Sequence, residues 1–173
     1  NTNNPSSPGT LIVPTRENNT GPVAGIAGDT GFCSININKY MMNREIGFGR
    51  KVMQVLEEEF VPFEHMPSGI DDISIIIRKK YLDEDKKSRI MERIAKELMV
   101  DSINIEYDLG LVMVVGEGMK NTPGILHQVT SALAKSKINI RMVNQGSSEV
   151  SIMFGICEDD VDKAIVAIYN EFF

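Results

Sequence analysis

Only two cysteines occur among the 173 residues, Cys33 and Cys157, and neither sits in a C-x-x-C or Cys/His spacing. This excludes a disulfide scaffold or zinc ribbon and implies two buried free thiols in a reducing, cytoplasmic compartment. No apolar run approaches the roughly 18 residues of a membrane-spanning helix. The start of the chain is polar and rich in Gly, Pro and Asn, unlike a secretory signal, so the Asn18-Asn19-Thr20 sequon is read as chance. Basic residues are outnumbered by acidic ones, 18 to 24, for a net charge of −6. Nucleic acid and anionic membranes are therefore not expected partners, since both need a basic face. His65 and His127 lie 62 residues apart with no triad or metal spacing. Gly47-Phe48-Gly49 is too short for a phosphate-cradling loop and lacks the Lys-Ser/Thr ending. The chain opens on Asn1 rather than Met, which is compatible with a piece of something longer.

What is present is a repeat. Sliding the chain against itself by 77 residues places Asp72-Ile73-Ser74-Ile75-Ile76 on Glu149-Val150-Ser151-Ile152-Met153. The same offset aligns Gly47 with Gly124, Gly69 with Gly146, Val52 with Val129, and Leu56 with Leu133. No gap is needed from residue 34 to the C-terminus.

Each copy reads as strand (34–38; 111–115), glycine-containing loop (39–49; 116–124) and amphipathic helix. Two strands joined by a turn follow (61–66 and 73–78; 139–143 and 150–156), then a second helix opened by acidic residues (86–99; 161–172). With a further strand at 102–107 the order is β-α-β-β-α-β, an α+β ferredoxin-like module with both helices on one face of an antiparallel sheet. The second copy ends one strand short, which would leave a sheet edge open. The unassigned apolar segment 22–27 is expected to fill that place, so the first module is inserted within the second. The expected organisation is a linker at 1–21, a strand segment at 22–30, and modules at 31–107 and 108–173.

Three stretches carry a family resemblance: Asn1-Thr2-Asn3-Asn4-Pro5 with Pro8-Gly9-Thr10-Leu11-Ile12, the Asn-x-Pro-Gly loop at Asn121, and the segment from Asn139 through Gln145-Gly146-Ser147-Ser148-Glu149 to Ile152. Together they resemble the C-terminal regulatory region of aspartokinases, which is built from two ACT modules. The resemblance implies a homodimer and allosteric feedback inhibition by lysine or threonine. It places the phosphorylation of aspartate by ATP with Mg²⁺ in a kinase domain upstream of Asn1, with no cofactor or metal in this region. Residues 1–21 would be the end of that domain.

A strand followed by a glycine loop at a helix N-terminus offers free N–H groups to an amino-acid carboxylate, and a neighbouring strand offers partners for its ammonium group. Carried over by position, the resemblance implies an effector site of Met42, Ile46, Gly47, Phe48 and Gly49, with Pro62, Phe63, Glu64 and Ser68 across from the loop. Glu64 could pair with an ammonium group or be a solvated strand residue, and Phe48 could line the site or pack in the core. Asn121, Asn139 and Ile140 would line any second-module site, where Arg141 stands in place of Glu64. Rival readings are an ACT-type module of another enzyme or a free-standing sensor, and a catalytic ferredoxin-like domain, which lacks a paired acid/base set. An RNA-binding domain of this fold would need a basic sheet with stacking aromatics.

Overall fold

The structure is a computed structural model that describes Ser6 and residues 21–173. The expected linker at 1–21, including the Asn1–Ile12 stretch that carries part of the resemblance, lies outside the described residues apart from Ser6 and Gly21. The elements run β1 (Gly25–Asn38), α1 (Phe48–Glu58), β2 (Asp72–Arg78), α2 (Glu84–Leu98), β3 (Ser102–Val115), α3 (Ile125–Lys135), β4 (Ile140–Gln145), β5 (Ser151–Cys157) and α4 (Val161–Phe172). Asp83 caps α2, its Oδ1 accepting from the Lys86 amide at 2.7 Å.

Two sheets were expected; one five-stranded antiparallel sheet is found, in the order β2-β1-β3-β5-β4. The strands expected at 22–27 and 34–38 are both parts of β1, and those at 102–107 and 111–115 are both parts of β3. The start of β1 (Gly25 to Asp29) pairs with Leu111 to Val115, while its end pairs with both β2 and the start of β3. The segment before the first copy thus supplies the strand that the second copy lacks.

Two irregularities, at Thr30-Gly31 in β1 and around Asp108 in β3, keep the pleat in phase across the junction. As a result Ile26 and Gly28 point to the same side as Cys33, Ile35 and Ile37. All four helices cover that side, over two cores. α1 and α2 bury Val52, Leu56, Ile90 and Ile94 against Ile35, Ile37, Ile75 and Ile77. α3 and α4 bury Val129, Leu133, Ala164 and Ile168 against Val112, Val114, Ile152 and Phe154. α4 lies close on the sheet because Gly110 has no side chain: a Cβ there would sit 2.3 Å from Val161 Cγ2. The helix-free side carries a smaller cluster of Phe32, Ile76 and Leu109, flanked by Leu111 and Met142.

Residues 61–66, expected as a strand, form only an isolated bridge between His65 and Ile76. The Val61 amide is taken by Leu56 O at the end of α1, and Pro62 and Pro67 have no N–H to give, so no regular ladder can form. Both cysteines are free. Among the described residues, no helix is long and apolar enough to cross a membrane, and no cluster of side chains is arranged to hold a metal ion.

Candidate functional site

The loop after β1 is tied down residue by residue. The Lys39 amide donates to Asp71 O and the Asn43 amide to Ile70 O. Met41 N donates to Asp71 Oδ1 at 2.7 Å, and Tyr40 N to Asp101 Oδ2 at 2.6 Å. Glu45 sits between Lys39 and Lys51, whose hydrogen bonds hold its carboxyl below the usual range. Gly47 then takes φ +79° and starts α1 with no side chain capping the helix, a conformation glycine adopts without a Cβ penalty. α1 therefore opens beside a polar, anchored loop, with the Phe48 amide already donating to Glu45 O at 3.3 Å.

Within one chain, the implied first-module residues separate. Met42 and Phe48 turn into the core, at 6% and 4% exposure, whereas Ile46 is 97% exposed. Pro62, Phe63 and Glu64 do not lie across from the loop. The Glu64 amide donates to Ile76 O, towards the Arg78 end of β2, whereas the loop sits at the Asp72 end. Ile70 and Asp71 face the loop instead. Glu64 Oε1 accepts from Arg78 Nε at 2.8 Å. Ser68 bridges to Ile73 and lines a cavity of about 510 Å³ on the helix-free side, together with Ser34, Asn36, Ser74, Glu106 and Arg141. Ser34 Oγ donates to Asn36 Oδ1 at 2.6 Å on its floor.

The second module repeats the loop geometry. Gly124 takes φ +92° and starts α3, again without a side-chain cap. Here the helix start opens on a cleft of about 410 Å³ lined by Met119, Thr122, Gly124, Leu126, Gln145 and Glu149. Glu149 Oε2 accepts from the Asn121 amide at 2.9 Å and so fixes the loop. Asn139 and Ile140 lie away from this cleft, at the start of β4, and Ile140 packs partly against the core. Met119, Gln145 and Glu149 are lining residues that the sequence reading passed over. The signal was present in the Gln-Gly-Ser-Ser-Glu segment, which supported the resemblance but was not assigned to the site.

Two helix-covered modules share the sheet, each with a glycine loop opening its first helix. The ACT domain family matches residues 112–172. Aspartokinase 3 of Bacillus subtilis is 52% identical over all of this chain, which covers 38% of that protein. The crystal structure of aspartate kinase from Clostridium acetobutylicum, described as an allosteric enzyme, superposes with a TM-score of 0.90 at 45% identity, over 100% of this chain and 40% of that one. Escherichia coli aspartokinase III in complex with lysine and aspartate (T-state) shares the fold, with a TM-score of 0.72 at 17% identity over 91% of this chain and 35% of its own. The chain matches the aspartokinases along its whole length and corresponds to their ACT-containing region. It spans about two fifths of the length of the Bacillus subtilis and Clostridium acetobutylicum enzymes.

Proposed function

We propose that this region is the amino-acid sensor of an aspartate kinase that transfers phosphate from ATP to L-aspartate, with lysine or threonine as feedback inhibitor. The observation that carries this reading is the 52% identity to a curated aspartokinase along the whole chain. Lysine is the first choice of effector, because a relative of the same fold is described in complex with it.

The effector site is made by two chains. The first turn of α1, beyond the anchored loop, supplies amides for the carboxylate, and Pro62, Phe63 and Glu64 are exposed but lie away from their own loop. A second copy in a homodimer brings its Glu64 to the ligand's ammonium group. Inhibition then requires that the ligand bind one arrangement of the dimer more tightly than the other, and each tenfold preference is worth about 1.4 kcal/mol.

Isothermal titration of the folded region with lysine and with threonine tests the reading. Saturable binding of at least one is expected, and silence with both overturns it.

A further inference from the structure

The first-module loop and the incoming chain sit at opposite ends of the sheet. β1 alone is 14 residues long, about 45 Å at 3.3 Å per residue. The incoming chain is moored in the second module: Val23 is buried in its core, and the Ala24 amide donates to Val115 O at 2.7 Å. Within one chain, an event at the first-module loop reaches the upstream chain only by crossing the junction between modules.

At that junction β1 and β3 are both irregular, with Gly31 at φ +83° and Asp108 at φ +57°. A short 3-10 turn follows the equivalent strand of each module, Lys79–Tyr81 after β2 and Glu158–Asp160 after β5. Their first residues meet: Lys79 Nζ lies 2.9 Å from Glu158 Oε1 and 3.0 Å from Asp108 Oδ1. The other oxygen of Glu158 accepts from the Gly31 amide at 3.2 Å. One pair of side chains therefore touches both turns and both irregular strands. The first turn reads Lys-Lys-Tyr and the second Glu-Asp-Asp. The basic start of one turn therefore meets the acidic start of the other, and the two attract.

We propose that Lys79 and Glu158 are positioning residues that set the angle between the two modules and carry the effector signal from the first module to the second, where the upstream chain is attached. The proposal rests on the region being a sensor. Neither side chain belongs to the effector loop, so removing the pair should separate sensing from response.

The test uses the full-length enzyme with Lys79→Met, Glu158→Gln and the conservative Lys79→Arg. Expected for the first two are an effector Kd within about twofold of the parent by calorimetry, unchanged kcat and KM without effector, and a half-inhibitory concentration raised at least tenfold. Lys79→Arg should restore inhibition. Amide exchange gives a readout that needs no effector: protection at residues 30–32 and 107–109 should fall at least tenfold in Lys79→Met. Undiminished inhibition in Lys79→Met and Glu158→Gln, or loss of binding together with inhibition, overturns the proposal. So does unchanged protection at the junction. If the parent enzyme itself binds no effector, the sensing reading fails instead, and the exchange result still decides the structural part.

Discussion

Arg78 holds Glu64: its Nε donates to Glu64 Oε1 at 2.8 Å, while its Nη2 donates to Asp29 Oδ2 at 2.7 Å. The guanidinium also lies 4.6 Å over the Phe32 ring. Glu64 is thus pre-positioned by a residue of the neighbouring strand and keeps its second carboxylate oxygen for another partner. Because Arg78 retains Asp29 and Phe32, Glu64→Ala should leave the fold intact. In the full-length kinase it should raise the half-inhibitory lysine concentration about tenfold, the loss of one charge-assisted contact of about 1.4 kcal/mol. Unchanged lysine sensitivity, measured in a steady-state kinase assay, removes Glu64 from the effector site.

Phe48 has its ring in the first core. Phe48→Ala should cost about 3–5 kcal/mol by urea denaturation, the range for removing a buried aromatic side chain. A cost below about 1 kcal/mol would show that the ring contributes little to packing and would return it to the ligand-lining role.

Gly110 is where α4 comes closest to β3, with Val161 Cγ2 at 2.3 Å and Glu158 Cα at 3.0 Å from the place a Cβ would take. Gly110→Ala should destabilise by about 1–3 kcal/mol through overpacking. Adding Val161→Ala should recover part of that loss, because it removes the nearer of the two atoms. Additive losses in the double variant would contradict this contact.

His65 makes stability depend on pH. Its Nε2 is buried with no hydrogen-bond partner among the described residues, and burial lowers its pKa below the ordinary 6.5. As pH falls, the unfolded chain takes up this proton first, so stability should decline from about pH 6.5 downward through the folded-state value. Thermal melts between pH 5 and 8 should show this slope, and His65→Phe should flatten it. An unchanged slope in that variant assigns the dependence to other groups.

Cys33 is fully buried, and desolvation pushes its thiol up to about 11. At pH 8 about a thousandth of it is thiolate, so the native protein should resist alkylation at Cys33. Iodoacetamide followed by peptide mass mapping should find native modification confined to the half-buried Cys157. Rapid labelling of Cys33 would mean that its strand opens.

Much of this protein is local, and the sequence by itself determined it. The 3.6-residue spacing of Val52, Val55 and Leu56 or of Ile90, Ile94 and Leu98, and the acidic start at Asp83, each depend on neighbours within a turn or two of chain. The missing strand of the second copy was also legible, since an open edge and an unassigned apolar segment leave one economical pairing. What only the tertiary structure decided involves partners far apart in sequence. Periodicity does not reveal that 22–27 and 34–38 continue into a single strand, because the irregularity at Thr30-Gly31 becomes necessary only when β1 must pair with β3 on both sides of the junction. The alternation of 61–66 reads as a strand, yet Pro62 and Pro67 remove two donors and the end of α1 claims Val61. The same geometry separates Glu64 from its own loop by most of the length of β2 and places it on Arg78. Hydrophobic spacing specifies which face an element buries, whereas hydrogen bonds and charges between distant segments decide which elements, and which site residues, finally meet.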